Sequence, residues 1–371
     1  MKCIALLFFP LIFLFSGCDK KLNDLPELYD QNLETYAIGA EGINNLMVNS
    51  SIQHSPLSYS IYSSGKTPKH DPYNWSLMGS NDGKNWTLLD EQSNQTFFAR
   101  FQAKEFSIAN PQKFEQYILS AETQNSDTLV IADFQLMESN TVSLWQNFSY
   151  PKINFENSAP NTLGSEEYKR LVQDVDAFIQ YHAQKVAEIL FYSDKDTMND
   201  IQQINYELKD YAGVSAKSGH PPYVSVVFST QHIEKTMNES LFKLSFENRG
   251  VLYHELTHAY QFEPKGIGSY STNREFWACI EGLADAVRAE AGFFDIEKRR
   301  KPGGNWLDGY QTTGFFLQWL TTKDPDALKR FHLSVRDLPK WSFDLAMKQV
   351  FGPDSGIEPL WNEYQDYLNK K

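Results

Sequence analysis

The hydrophobic pattern changes character once, between Glu138 and Ser143, and that change sets what the chain can become. From Tyr36 up to it, apolar and aromatic residues alternate in short runs cut by turn clusters, as in YSIYSSGKTPKHDPYNW, GSNDGKNW, SIANPQKF and QNSDTL. A period of two buries one face of a strand, and frequent Gly, Pro, Asn and Asp end each strand early. NWSLMGSNDGKNWTLLDEQSN predicts two strands joined at an Asn-Asp-Gly turn, and QYILSAE and TLVIADFQLM predict two closing strands. Such a series folds as a β-sandwich. Beyond the change the spacing lengthens. SEEYKRLVQDVDAFIQYHAQKVAEILF places Leu171, Val175, Phe178, Ile179, His182 and Val186 at helical spacing, with Ser165 and its acids as a helix start. PPYVSVVFSTQHI predicts one strand. Helices follow over VLYHELTHAYQ, NREFWACIEGLADAVRAEAGF, LDGYQTTGFFLQWLTTK, SFDLAMKQVFG and IEPLWNEYQDYL. The expected architecture is multidomain: an N-terminal β-sandwich over residues 36–138 and a mainly helical α+β domain over 145–371, and 371 residues suffice for both.

The first residues, MKCIALLFFPLIFLFSGCDKK, pair a basic start with an apolar run too short to span a bilayer. Small residues then precede Cys18. This resembles a bacterial lipobox, with residues 1–17 as a lipoprotein signal peptide, Cys18 as the lipidated residue and 18–35 as a tether. The resemblance implies a lipid-anchored protein of the bacterial cell envelope, at the outer membrane, touching the membrane only through that lipid. A plain secretory signal with an incidental cysteine is the other reading. Cys279 is left alone, so a disulfide framework is not expected. A formal net charge of -13 argues against nucleic acid as a partner, because phosphate recognition needs clustered Lys and Arg.

The chemistry concentrates in VLYHELTHAYQFEPKG. On a helix His254 and His258 lie one turn apart on one face and can address one metal ion, with Glu255 about 100° round the axis, within reach of a metal-bound water. Two ligands are too few for a catalytic zinc, which takes three protein ligands and a water. The next helix offers Glu281 and Asp285, again at i and i+4. Glu281 stands among apolar residues in FWACIEGLA, where a carboxylate needs a partner. Gly282 beside it would allow the two helices to approach closely. Tyr310, in GGNWLDGYQTTGFFLQW, is either a donor to an oxyanion or a core tyrosine.

Two family resemblances bear on these parts. WSLMGSNDGKNWTLLDEQSNQTFFARFQAKEFSIANPQKFEQYILSAE resembles the discoidin family, the coagulation factor V/VIII type C domain. That implies a jelly roll whose end loops often bind glycans or lipid head groups, so a glycan is an expected partner of residues 36–138. Trp75 and Trp86 sit where strand packing competes with sugar stacking, and packing is the expected role. INFENSAPNTLGSEEY, YVSVVFSTQHI, GVLYHELTHAYQ, IEGLADAVRAEAGF, GGNWLDGYQTTGFFLQWL and LWNEYQDYL resemble, in order, the basic secretory protein family of zinc peptidases. The resemblance implies a zincin-like fold and a zinc-dependent metalloendopeptidase acting on protein or glycoprotein substrates. Like the gluzincins, it would bind Zn²⁺ through His254, His258 and Glu281, use Glu255 as general base, and let Asp285 orient His254. Analogy with zincins also places the strand at Val224–Ser229 on the rim of the cleft. The alternatives are a catalytically inactive glycan-binding surface lipoprotein, or a zinc that only staples helices. The second is disfavoured because closed structural sites prefer four Cys or His ligands.

Overall fold

The computed structural model describes residues 26–39, 44–48, 52–124, 126 and 128–370. The signal segment 1–17 and Cys18 lie outside the described residues, as does the first part of the tether. In the N-terminal part the strands are β1 (Ala37–Gly39), β2 (Asn44–Val48), β3 (Ser58–Ser63), β4 (Asn74–Ser80), β5 (Thr87–Gln92), β6 (Ala103–Ser107), β7 (Gln116–Glu122) and β8 (Leu129–Met137). They form two antiparallel four-stranded sheets, ordered β1-β8-β3-β6 and β2-β7-β4-β5. Leu46, Leu77 and Leu119 from one sheet and Tyr59, Ile61 and Phe134 from the other share one core, the layering of a β-sandwich. Trp75 belongs to that core; its indole N–H donates to Tyr59 Oη at 2.8 Å. The expected short turn between β4 and β5 is longer. It spans residues 81–86, wound about Asp82, whose Oδ1 accepts the backbone N–H of Lys84 and Asn85 at 2.9 and 2.7 Å.

The C-terminal part runs β9 (Lys152–Asn157), α1 (Leu163–Leu171), α2 (Val175–Leu190), β10 (Gln203–Lys209), β11 (Ser215–His220), β12 (Tyr223–Ser229), α3 (Thr230–Met237), α4 (Leu241–Tyr260), α5 (Arg274–Glu290), α6 (Ile296–Arg299), α7 (Tyr310–Trp319), α8 (Ala327–Asp337), α9 (Phe343–Phe351) and α10 (Ile357–Asn369). The sheet order is β11-β12-β10-β9, with β9, β10 and β12 parallel and β11 antiparallel to β12. Ile204, Tyr206, Leu208, Val224, Val226 and Phe228 turn inward and join the core shared with α1, α2 and α4.

Five expectations are corrected here. The single helix over SEEYKRLVQDVDAFIQYHAQKVAEILF is two, α1 and α2, and it starts at Leu163 with Thr162 as its cap rather than at Ser165. The break is made from outside: Ala99 bridges Val172, the Arg100 N–H donates to Leu171 O at 2.8 Å, and the Gln173 N–H donates to Phe98 O at 2.8 Å. The strand in PPYVSVVFSTQHI ends at Ser229, whose hydroxyl caps α3. That strand, β12, is internal, so Val224–Ser229 cannot form the rim; the edge belongs to β11. Finally, the close approach at Gly282 is to α7, since a Cβ there would stand 2.4 Å from Thr313 Cγ2.

The two folds are joined by buried polar contacts. Arg100, 2 % exposed, is held by Asp71 through Nη1–Oδ1 and Nη2–Oδ2 contacts of 2.8 and 2.6 Å. Its carbonyl accepts from Arg249 Nη2 of α4 at 2.8 Å. Arg249 also donates to the Ser245 hydroxyl and lies 5.4 Å over the Phe178 ring. Burial lowers the Arg249 guanidinium to about 10.

Candidate metal centre

Three helices build the site. Helix α4 begins on Ser240, whose hydroxyl accepts from the Lys243 N–H at 3.1 Å, and ends where Gln261 turns to extended backbone. Helix α5 begins on Asn273, whose side chain accepts from Glu275 and Phe276. Helix α7 begins at Tyr310. Because i and i+4 share a face, α4 presents His254 and His258 together, and α5 presents Glu281 with Asp285 behind it.

His254 Nε2 and His258 Nε2 stand 3.1 Å apart, and Glu281 Oε2 lies 3.4 and 3.8 Å from them. A tetrahedral ion bonded at about 2.0–2.1 Å spaces its donors at roughly 3.3 Å. Three lone-pair atoms converge here at that spacing, and Glu281 is 5 % exposed. Burying them together without a cation is costly, so the donor set fits a divalent ion.

The surroundings orient the donors. His254 Nδ1 meets Asp285 Oδ1 at 2.7 Å, which keeps the proton on Nδ1 and leaves Nε2 free to ligate. The Gln261 amide lies 2.7 Å from His258 Nδ1, while its Oε1 is buried and unpartnered. The amide rotamer that turns Oε1 toward the ring satisfies both groups, since a ring that offers Nε2 to a cation carries its proton on Nδ1. Tyr270 donates to Glu281 Oε1 at 2.6 Å, leaving Oε2 to the histidines.

The electrostatics divide the two rings. Burial opposes charge on His254, but the hydrogen bonds to Asp285 and Glu281 outweigh it and raise His254 to about 10. Burial and the charge of His254 push His258 down to about 3. Glu255, 7 % exposed, is raised by burial and by Glu281, with His254, the Ser215 hydroxyl and the Lys217 amide acting against the rise. Burial would raise Glu281 too, yet His254, His258 and Tyr270 bring it below its ordinary value.

All of these face one cleft of about 490 Å³, between α4, α5 and the edge strand β11. The residues singled out in the sequence, His254, Glu255, His258, Glu281 and Tyr310, line it together, and Asp285 stands behind His254. Tyr310 is not a core residue. It is 48 % exposed, its ring stacks over His254 at 6.0 Å and 14°, and its phenol, raised by burial and by Glu281, faces the carboxylate. Sequence reasoning missed Gln261, Tyr270, Lys217 and the whole strand β11. Gln261 had a signal, lying three residues past His258 at the helix end; Tyr270, in a polar loop, had none.

Comparison with known proteins bears on both parts. The sandwich aligns with a family 32 carbohydrate-binding module from Clostridium perfringens NanJ, solved in complex with galactose. Identity is 17%, coverage is 29% of this chain and 79% of that one, and the TM-score is 0.25. The F5/8 type C domain of a Bacteroides fragilis protein aligns at 11% identity over 30% of this chain and 77% of its own, with a TM-score of 0.25. A 59-residue stretch is 42% identical to the peptide-N(4)-(N-acetyl-β-glucosaminyl)asparagine amidase of Arabidopsis thaliana. That stretch is 16% of this chain and 8% of the plant enzyme, so the chain spans less than a tenth of that curated relative. The model of a family described as a peptidase of plants and bacteria matches residues 150–364, from β9 into α10 and across every donor of the centre. The match spans more than half of the chain, and the chain belongs to that family of peptidases.

Proposed function

We propose that this chain is a zinc-dependent endopeptidase of zincin-like design, with His254, His258 and Glu281 holding the ion and Glu255 as general base. The observation that carries the reading is the convergence of two imidazole nitrogens and one carboxylate oxygen beside a buried, upward-shifted Glu255. A zinc ion bound there supplies a Lewis acid and a water acidified toward neutrality. Glu255 accepts a proton from the attacking water and delivers it to the leaving amine; a carboxyl that burial raises above its ordinary value suits both transfers. Tyr310, at the mouth of the cleft, donates a hydrogen bond from its phenolic hydroxyl to the developing oxyanion. Asp285 and Gln261 fix the imidazole orientations, and Tyr270 fixes Glu281. The exposed edge of β11 offers backbone groups to an extended substrate.

The sandwich is proposed to bind carbohydrate on protein or glycoprotein substrates. A depression of about 210 Å³ at its end loops, lined by Lys69, Tyr73, Gln95 and Gln124, is one place for it. Anchoring through lipid on Cys18, in a bacterial envelope, completes the proposal.

The test incubates the zinc-loaded full chain and its Glu255→Gln variant with unfolded proteins and glycoproteins, with and without chelator, and reads new N-termini by mass spectrometry. Cleavage by the unmodified chain alone, abolished by chelator, is expected. Equal cleavage by both would overturn the role of Glu255. Absence of cleavage with one zinc bound would favour the inactive glycan-binding reading.

A further inference from the structure

Strand β11 does more than edge the sheet. Its register with β12 pairs Ser215 with Phe228, Lys217 with Val226 and Gly219 with Val224. Phe228, Val226 and Val224 are buried against the helices, so Lys217 points to the helix side, into the cleft. Ser218, one residue on, turns instead to the open face beside Asn205 and Ser225. Of the described side chains lining the cleft, Lys217 is the one Lys or Arg, set among Glu255, Glu263 and Glu281. Its charge is felt at His258, and Glu263 and Glu255 act on it in turn. Yet among the described residues it forms no ion pair and no side-chain hydrogen bond. A lysine on a solvated face would need no explanation. This one is held inside a concave site, where partial burial lowers its amine, and among the described residues no carboxylate stands within ion-pair distance of it.

We propose that Lys217 reads a carboxylate on the substrate, so that the cleft favours peptides carrying an acidic side chain or a free C-terminal carboxylate near the bond to be cut. This rests on the peptidase reading above. With a divalent ion bound, the charges of Glu255 and Glu281 are offset, and Glu263, beyond ion-pair distance, is the remaining carboxylate that acts on the amine, leaving its three donors open to a substrate carboxylate. A primary ammonium suits this role because it reaches a carboxylate as a compact point charge with three donors. A hydrogen bond between charged groups in a partly desolvated site changes affinity by about tenfold or more.

The experiment measures binding without turnover. The full chain carrying Glu255→Gln, loaded with zinc, is titrated by fluorescence anisotropy with three labelled peptides of one length. One has an internal Glu and an amidated end, one is neutral with a free carboxyl end, and one is neutral and amidated. At least one of the first two is expected to bind about tenfold tighter than the third. In a second chain that also carries Lys217→Met, that ratio should collapse to one, and Lys217→Arg should restore it. Which of the two peptides gains identifies the source of the carboxylate. Melting temperatures establish that the variants are folded. Three peptides binding alike to the starting chain would overturn the proposal. So would a ratio that survives in Lys217→Met. If no substrate is cleaved by the wild-type chain but the Lys217-dependent ratio is present, the peptidase reading fails and the carboxylate site stands. If substrate is cleaved but no such ratio is seen, the peptidase reading stands and the carboxylate site fails.

Discussion

Substituting Gly314 by Ala tests whether α5 and α7 together set the metal site. The added Cβ would stand 2.8 Å from Asp285 Cβ and 3.0 Å from the Ala286 amide nitrogen. Carbon pairs relax at about 3.5–4.0 Å, so the helices must part by roughly 1 Å. Both are buried over much of this contact, and Ala286 is backbone that cannot rotate away. Overpacking of this size costs about 1–3 kcal/mol, which lowers the melting temperature by roughly 2–12 °C for a domain of this size. The displaced atoms belong to Asp285, the partner of His254, and Tyr310 heads the helix that moves. Zinc affinity is therefore expected to fall about tenfold or more, in line with losses for partners of metal ligands. Scanning calorimetry of the chelated protein gives the first quantity, and competition against a chromophoric chelator gives the second. A variant that melts with the wild type and binds zinc as tightly would refute the packing argument.

Four further outcomes follow from the same geometry. Asp285→Ala should weaken zinc binding by about 10- to 100-fold in the same competition assay, with Asp285→Asn, which keeps an acceptor for Nδ1–H, losing less. Tyr310→Phe should lower kcat by about 10²-fold or more with zinc affinity retained; a loss confined to KM would contradict an oxyanion role. In the chelated chain, His254 raised to about 10 stabilises the fold fully below its ordinary 6.5 and progressively less as pH climbs to 10. His258, depressed to about 3, removes stability as pH falls from 6.5 toward 3. The melting temperature should therefore drop on both sides, with His254→Gln flattening the alkaline limb and His258→Gln the acid one. Asp71→Ala, which strands the buried Arg100, should cost about 3–5 kcal/mol in denaturant unfolding, and a loss below about 1 kcal/mol would deny the ion pair its place in the domain junction.

What was legible in the sequence was local. QYILSAE corresponds residue for residue to β7, and TLVIADFQLM overruns β8 by one residue, because alternation on a half-buried sheet is written into every second position. The i, i+4 pairs on α4 and α5 were legible because helix geometry alone puts them on one face. What was not legible depends on distant chain. The break at Val172 is made by residues 98–100, more than seventy positions earlier, while the local sequence carries on at helical spacing. SAKSGH carries no apolar alternation, since an edge strand beside a cleft needs none, so its strand was not legible and analogy with zincins placed β12 at the rim instead. Gly282 was rightly read as a point of close approach, but only the fold could say that α7 is what approaches it.

The same long-range contacts alter what the sandwich is to this peptidase. As a targeting module it would need only a tether. Instead Ala99 belongs to the core of the catalytic part, Phe98 packs edge-on against Phe178 and beside Tyr181, and the Arg100 carbonyl satisfies a buried guanidinium on α4. That guanidinium belongs to Arg249, five residues before His254 on the helix that carries two of the candidate metal ligands. Taking the sandwich away would expose Phe178, strip Arg249 Nη2 of its acceptor so that Ser245 alone holds the guanidinium, and leave the Leu171 carbonyl without the Arg100 N–H, costs that fall on α1, α2 and α4. The family match begins at residue 150, but the notch between α1 and α2 is filled by residues 98–100. The helical domain therefore extends past its family match, and the loops at that end of the sandwich are part of its fold.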